Sequence, residues 1–258
     1  MTSLCRGLGL GKNGVISLIG AGGKTSMMLR LARELSTSGD TVLTTTTTKI
    51  YPPSDPFECL IVSDSPVDIL NKARKLLKYT PHISAAARQV SPHGKLIGFA
   101  PETIGLFRKS NLFRWIIVEA DGAARRPLKA PAPHEPVIPD CTNWVIGIVG
   151  LSAVGRPLDN QNVFRPELVS NITGLAEGME ILDKTICDLL LHRQGIFQGT
   201  PTGAKRIAFL NQADIPQKIQ VGRTIIQCLI KKKSIGLSRV VIGSTSLELP
   251  VLEYHDFQ

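Results

Sequence analysis

A doubly wound, mostly parallel α/β fold is predicted for this 258-residue chain by three features of its sequence. Short apolar runs bounded by Gly, Pro and Asp alternate with longer helical patterns, the order that builds strand, crossover helix and parallel strand. The 43% apolar content comes with few aromatics, so Val, Ile, Leu and Ala must fill the core, as in a sheet buried on both faces. A glycine-rich stretch joins the first strand pattern to the first helical one. The length fits one domain spanning residues 1–258.

Taken in order, buried strands are predicted at residues 15–19, 41–45, 60–62, 115–118, 144–149, 206–210 and 239–242. Helices are predicted at 25–35, 67–77, 179–191 and 217–230 from apolar positions three and four apart. Two stretches break the rhythm. Residues 80–101 carry His82, Arg88, His93 and Lys95 without clear periodicity, which predicts a small insertion or hairpin. Residues 122–140 hold Pro127, Pro131, Pro133, Pro136 and Pro139, which forbid helix and most sheet pairing and so predict a long functional loop.

The net charge of +9 suits an anionic small molecule, an acidic partner, a membrane surface or nucleic acid. The one basic run, Lys231-Lys232-Lys233, is short and lacks interleaved aromatics; it reads as a solvated helix end, and nucleic acid is not an expected partner. Cys5, Cys59, Cys141, Cys187 and Cys228 are scattered without a C-x-x-C pair, which predicts a reducing compartment. No apolar run approaches the roughly 18 residues of a membrane span, so a soluble, cytoplasmic protein is expected.

Gly20-Ala21-Gly22-Gly23-Lys24-Thr25-Ser26 follows a strand pattern and opens a helical one, the context a phosphate loop requires. Glycines let backbone N–H groups turn inward around phosphate oxygens, and the helix N-terminus adds partial positive charge. Lys24 is placed to bridge the β- and γ-phosphates of a nucleoside triphosphate and Thr25 to ligate Mg²⁺. Leu18 stands where the commoner pattern has its first glycine, so the loop is the shortened G-x-x-G-K-T kind of the Mur-type ligases. The fold expected is P-loop NTPase-like.

The strand pattern at 115–118 runs into Glu119-Ala120-Asp121-Gly122. Ligands of open α/β sheets sit at the carboxyl ends of the strands, and residues two apart point the same way, so both carboxylates are expected at the phosphates. One can hold Mg²⁺ and the other place the attacking water or acceptor. Thr46 and Lys49, in a threonine run at the end of another strand, are candidates to sense the γ-phosphate. Asn211-Gln212-Ala213-Asp214 is close to the N-K-x-D element with which GTPases read guanine, which makes Asn211 and Asp214 base-reading candidates; a turn with Asp214 as helix N-cap is the alternative. The nucleotide expected is GTP or ATP.

Within the proline-rich stretch, Lys129, His134 and Glu135 form a candidate second-substrate cluster, and Arg125 and Arg126 stand at its entrance. That stretch, Leu128-Lys129-Ala130-Pro131-Ala132-Pro133-His134-Glu135-Pro136-Val137-Ile138-Pro139, resembles the YqeC-type selenium-dependent hydroxylase accessory proteins. The glycine-rich loop, the threonine run, Val118-Glu119-Ala120-Asp121-Gly122, Gly155-Arg156-Pro157-Leu158 and Asn162-Val163-Phe164-Arg165-Pro166-Glu167 share the resemblance. It implies a role in maturing selenium-dependent molybdenum hydroxylases, with the client hydroxylase or its maturation factors as partners. An Mg²⁺-dependent NTP hydrolase or phosphotransferase is the enzyme reading. A nucleotide-gated binding module without significant turnover, or a Mur-like ligase, are the alternatives.

Overall fold

A computed structural model describes residues 1–50, 59–90, 94–233 and 236–257; His93 lies outside them. In chain order the elements are α1 (Leu4–Gly7), β1 (Gly14–Gly20), α2 (Lys24–Thr37), β2 (Val42–Thr46), β3 (Lys49–Ile50), β4 (Leu60–Val62), α3 (Pro66–Leu76) and β5 (His82–Ala86). There follow β6 (Arg88–Val90), β7 (Lys95–Ile97), α4 (Pro101–Lys109), β8 (Trp115–Glu119), β9 (Leu128–Lys129), β10 (Trp144–Gly150), β11 (Val163–Phe164), α5 (Pro166–Thr173) and α6 (Asp183–Leu191). β12 (Lys205–Asn211), α7 (Pro216–Lys231), β13 (Arg239–Gly243) and β14 (Val251–Asp256) complete the chain.

Among the described residues nine strands make the main sheet in the order β14-β13-β12-β10-β1-β8-β2-β5-β4, parallel throughout except for β14 on β13. Alternate side chains of each central strand enter opposite layers. Ile16 and Leu18 of β1, Ile117 of β8 and Ile146 of β10 pack with Met27, Met28, Leu31 and Leu35 of α2. On the other face, Ile116 and Val118 meet Ile69 of α3 and Phe107 of α4, while Val145 and Val149 meet Ile186 of α6 and Ile225 of α7. Helices on both faces of a mostly parallel sheet are the doubly wound arrangement expected.

From β1 the chain moves to β2 and β5 on one side, and later to β10, β12 and β13 on the other. The carboxyl end of β1 is therefore the point where the strand order reverses, and that is where crevices open in such sheets.

The small insertion or hairpin expected at 80–101 is met by β6 and β7, which pair antiparallel, but not by the start of that stretch. β5 is a strand of the main sheet, between β2 and β4, and only β6 and β7 leave it, forming a small antiparallel sheet with β3. Ser84, Ala85 and Ala86 lack the bulk and branching by which strands are recognised, yet they are buried, since β5 lies between two other strands of the sheet. The threonine run explains this pairing. Thr44 hydrogen-bonds Ser84 at 2.6 Å and His82 at 3.0 Å, and Thr45 donates to the Ala85 carbonyl at 2.8 Å. Burial in turn lowers the His82 pKa. Among the described residues no helix is long and apolar enough to cross a membrane.

Candidate functional site

The glycine-rich loop is short because β1 runs to Gly20 and α2 begins at Lys24, so Leu18 lies inside the strand. Gly20, at φ +85°, presses so close to β10 that a Cβ would lie 2.3 Å from the Ile148 carbonyl oxygen. Gly23, at φ +129°, would place one 2.3 Å from the Asn211 amide nitrogen. The loop is pinned from below by Ala21 N–H on the Ile148 carbonyl at 2.8 Å and Gly22 N–H on the Arg126 carbonyl at 3.1 Å. As N-cap of α2, Gly23 brings no side-chain acceptor to the first-turn N–H groups, which leaves that end of the helix suited to an anion.

Beneath the loop runs a buried chain of alternating charge. The Lys24 ammonium donates to the Gly20 carbonyl at 2.6 Å and lies 3.1 Å from Asp121 Oδ1. Asp121 Oδ2 accepts from Gly20 N–H at 3.0 Å and lies 3.0 Å from the Lys129 ammonium. Lys129 reaches Glu135 at 2.8 Å and the Gly122 carbonyl at 2.7 Å, and Arg165 clamps Glu135 at 2.6 and 3.2 Å. Asp121 Oδ1, although beside Lys24, makes no aligned hydrogen bond. Lys24, Asp121 and Lys129 are all at most 5% exposed, so each charge depends on its neighbours for solvation.

Glu119, the last residue of β8, faces the other way. Its Oε2 accepts from the Thr25 hydroxyl at 2.9 Å. Burial raises its pKa above the ordinary glutamate value, opposed by the charge of Lys24 and the Thr25 hydrogen bond. Thr46 does not reach the cleft; its hydroxyl donates to the Glu119 carbonyl at 2.7 Å and braces that strand end.

Above these groups lies a cleft of about 1170 Å³ lined by Gly22 to Ser26, Glu119 and Glu135, with Lys49, Lys95, Arg125 and Arg126 on its walls. Five cationic side chains thus meet two carboxylates. Ala124 and Arg125 sit at φ +46° and +61°, a costly conformation for residues with side chains, in the turn that presents the two arginines.

Several candidates lie elsewhere. Gly20, Ala21 and Asp121 form the floor beneath the loop and do not line the cleft. Asn211 is also outside the lining; it bridges the Gly22 carbonyl at 2.7 Å and Thr245 N–H at 3.0 Å. Asp214 is exposed and accepts from Ser246 at 2.9 Å, and it is not the N-cap of α7, since that position is Ile215. The expected second-substrate cluster divides: Lys129 and Glu135 pair within the buried network, whereas His134 is exposed and outside the cleft.

Three contributors escaped sequence reasoning. Arg165 clamps Glu135 and stacks over the Phe164 ring at 4.5 Å. Gln198 donates to the Ala132 and Glu135 carbonyls at 2.9 and 2.6 Å, holding the proline-rich loop. Gln212, which lines the cleft, accepts from the Ser152 hydroxyl at 2.6 Å. Phe164 and Arg165 belong to a motif visible in the sequence, but the Glu135 that Arg165 pairs with is 30 residues away in the chain.

Fold and site together define an α/β protein with a large, mostly parallel sheet and a glycine-rich loop over a cationic cleft at its switch point. Residues 16–167 match the family described as YqeC protein. The uncharacterized protein YqeC of Escherichia coli (strain K12) is 35% identical over 198 residues, covering 77% of this chain and 75% of that protein. No solved structure matches. The chain belongs to the YqeC family.

Proposed function

We propose that this protein binds a nucleoside triphosphate, GTP or ATP, with Mg²⁺, and hydrolyses it or transfers its γ-phosphoryl group in the maturation of selenium-dependent molybdenum hydroxylases. The carrying observation is the Thr25 hydroxyl on the Glu119 carboxylate, beside Lys24 at the N-terminus of α2 and open to the cationic cleft. The maturation role rests on the family resemblance, and the client hydroxylase or its maturation factors are the proposed partners.

The donor set fits Mg²⁺. A hydroxyl and a carboxylate are hard oxygen ligands, and Glu119 is a buried acid whose ionised form needs a cation. Among the described residues no three His, Cys, Asp or Glu side chains gather as a metal group, so phosphate oxygens and water would complete the shell, as is usual for Mg²⁺. Bound there, Mg²⁺ would neutralise charge on the β- and γ-phosphate oxygens. Lys24 and the first-turn N–H groups of α2 hold the phosphates in place. The nucleophile's proton passes to a γ-phosphate oxygen, and Glu119 stays ionised. A water or acceptor oxygen forms a bond to the γ-phosphorus as the bond to the β–γ bridging oxygen breaks, and the nucleoside diphosphate leaves with that electron pair. Asp121 acts through Lys24 and Gly20 as a positioning residue.

Calorimetric titration with non-hydrolysable GTP and ATP analogues plus Mg²⁺ tests this reading. Wild-type protein is expected to bind one analogue in an Mg²⁺-dependent manner. Glu119→Gln should weaken that binding by at least about tenfold, the scale seen when a metal ligand's support is removed. Because burial raises the Glu119 pKa and only the carboxylate holds Mg²⁺, affinity should rise with pH through a midpoint above the ordinary glutamate value. Folded wild-type protein that binds neither analogue would end the proposal.

One observation favours a second reading. Asp121 links the glycine-rich loop to Lys129 in the proline-rich loop, a ready path from bound nucleotide to a docking surface. Tight analogue binding with negligible release of diphosphate or phosphate would select a nucleotide-gated module over an enzyme.

A further inference from the structure

We infer that Arg126 holds the γ-phosphate and so tells a nucleoside triphosphate from a diphosphate. The inference rests on the nucleotide reading above and gives a role to a residue which that reading leaves unused.

The segment from Glu119 to Arg126 is laced to the glycine-rich loop and α2 at three points. Glu119 accepts from the Thr25 hydroxyl at 2.9 Å, Asp121 from Gly20 N–H at 3.0 Å, and the Arg126 carbonyl from Gly22 N–H at 3.1 Å. Beyond Gly122 the chain turns back on itself, with Arg126 N–H on the Ala123 carbonyl at 2.9 Å. The two central residues of that turn, Ala124 and Arg125, take the positive φ that Gly or Asn ordinarily supplies. Strain of this kind persists where the surroundings over-determine it, and it gathers at ligand clamps. Here the strained turn returns Arg126 to the cleft that Gly22 to Ser26 and Glu119 also line.

Partners supply the second argument. Lys24 is drawn down by Asp121 at 3.1 Å and the Gly20 carbonyl at 2.6 Å, so part of its charge is already spent. Of the two cleft carboxylates, Glu135 is held by Lys129 and Arg165, and Glu119 by Thr25. The half-buried Arg126 guanidinium, among the described residues, makes no hydrogen bond or ion pair. Its N–H donors form a planar fork that matches two oxygens of one phosphate. The inner phosphates fall to the loop N–H groups and the α2 N-terminus. The terminal phosphate extends beyond them, and Arg126 comes from the segment that also carries Glu119, the carboxylate on the Mg²⁺ side. In the transfer form of the proposed reaction, the same fork neutralises charge on the phosphoryl group as it moves.

The test is calorimetry on the full chain with Mg²⁺, titrating the non-hydrolysable triphosphate analogue and, separately, the diphosphate of the same nucleoside. Wild-type protein is expected to prefer the triphosphate. Arg126→Ala should weaken analogue binding by about tenfold or more, while its diphosphate affinity stays within about threefold of wild type. The tie between this turn and Gly22 uses the backbone carbonyl of residue 126, which any substitution keeps, so the melting temperature should hold. Should the alanine variant nevertheless fail to fold, Arg126→Lys carries the same test, with a smaller loss of preference because a point charge replaces the fork. Equal affinity of wild type for the two nucleotides would overturn the inference. An unchanged preference in the variant, or an equal fall in both affinities, would do so as well, and each of these results leaves the nucleotide reading standing. Folded wild type that binds neither nucleotide ends that reading and this inference with it.

Discussion

Lys129→Met is expected to destabilise the fold by about 3–5 kcal/mol, the cost of breaking a buried ion pair by removing one partner. Lys129 is 1% exposed and is shared by Asp121, Glu135 and the Gly122 carbonyl. Methionine fills nearly the same volume, so the loss measures charge and hydrogen bonds rather than a cavity. For a chain of this size the melting temperature should fall by roughly 10 °C, at about 2–4 °C per kcal/mol. Adding Glu135→Gln to Lys129→Met should cost less than the two single effects summed, because the two side chains pair directly and the pair is lost only once.

The same network sets an acid dependence. Burial pushes the Glu135 pKa up, but hydrogen bonds from Arg165 and Lys129 outweigh it and pull it from 4.5 to about 2. A carboxyl depressed in the folded state stabilises the protein above its unfolded pKa, and that contribution is lost as pH falls from about 4.5 toward 2. Without Lys129 the carboxyl is held less far down, so acid unfolding followed by circular dichroism should begin at a higher pH in Lys129→Met. Unchanged acid and thermal midpoints would mean that the network contributes nothing to folding.

How much of this was readable in advance depends on whether the cause was local. β1, β8 and β10 are continuous apolar runs, buried at every position, and a sequence window contains all that marks them. α4 and α5 are absent from the predicted helices; each is short and opens with a proline, Pro101 or Pro166, in the first helical turn, where a missing N–H costs nothing. β14 was missed because an antiparallel edge strand carrying Glu253, His255 and Asp256 shows little apolar signal. At the site, the loop and the two carboxylates were legible as a set, but their division of labour was not. Period-two alternation holds within a strand, and β8 ends at Glu119. Asp121 lies beyond it, where its direction is fixed by Gly20 N–H and Lys24, both distant in sequence, and by Lys129 of the proline-rich loop. Arg165 shows the same limit, since no local pattern reveals an ion pair across a fold.

Asp121→Asn is expected to produce the other large effect, and one that separates a scaffold from a working part. Asparagine keeps the shape and can still accept from Gly20 N–H, but it withdraws the negative charge that faces both Lys24 and Lys129. Lys129 retains Glu135, whereas Lys24 is left with the Gly20 carbonyl and the more distant charge of Glu119. A buried ammonium deprived of its carboxylate should cost about 3–5 kcal/mol, read as a fall in the urea midpoint at unchanged slope. If Lys24 serves phosphates, the loss is partly repaired by ligand. A site saturated at a hundred times its Kd stabilises any binder by about 2.7 kcal/mol. Measured at the same free concentration, the Mg²⁺-analogue complex should stabilise Asp121→Asn by more than it stabilises wild type, because phosphate oxygens replace the charge Lys24 has lost. In wild type, part of the phosphate interaction is offset by loosening Lys24 from Asp121, so its affinity should be the lower of the two. A variant that is destabilised but gains no more from the analogue than wild type would show that Lys24 stays on the floor of the loop when the cleft is filled, and its assignment to the phosphates would fall.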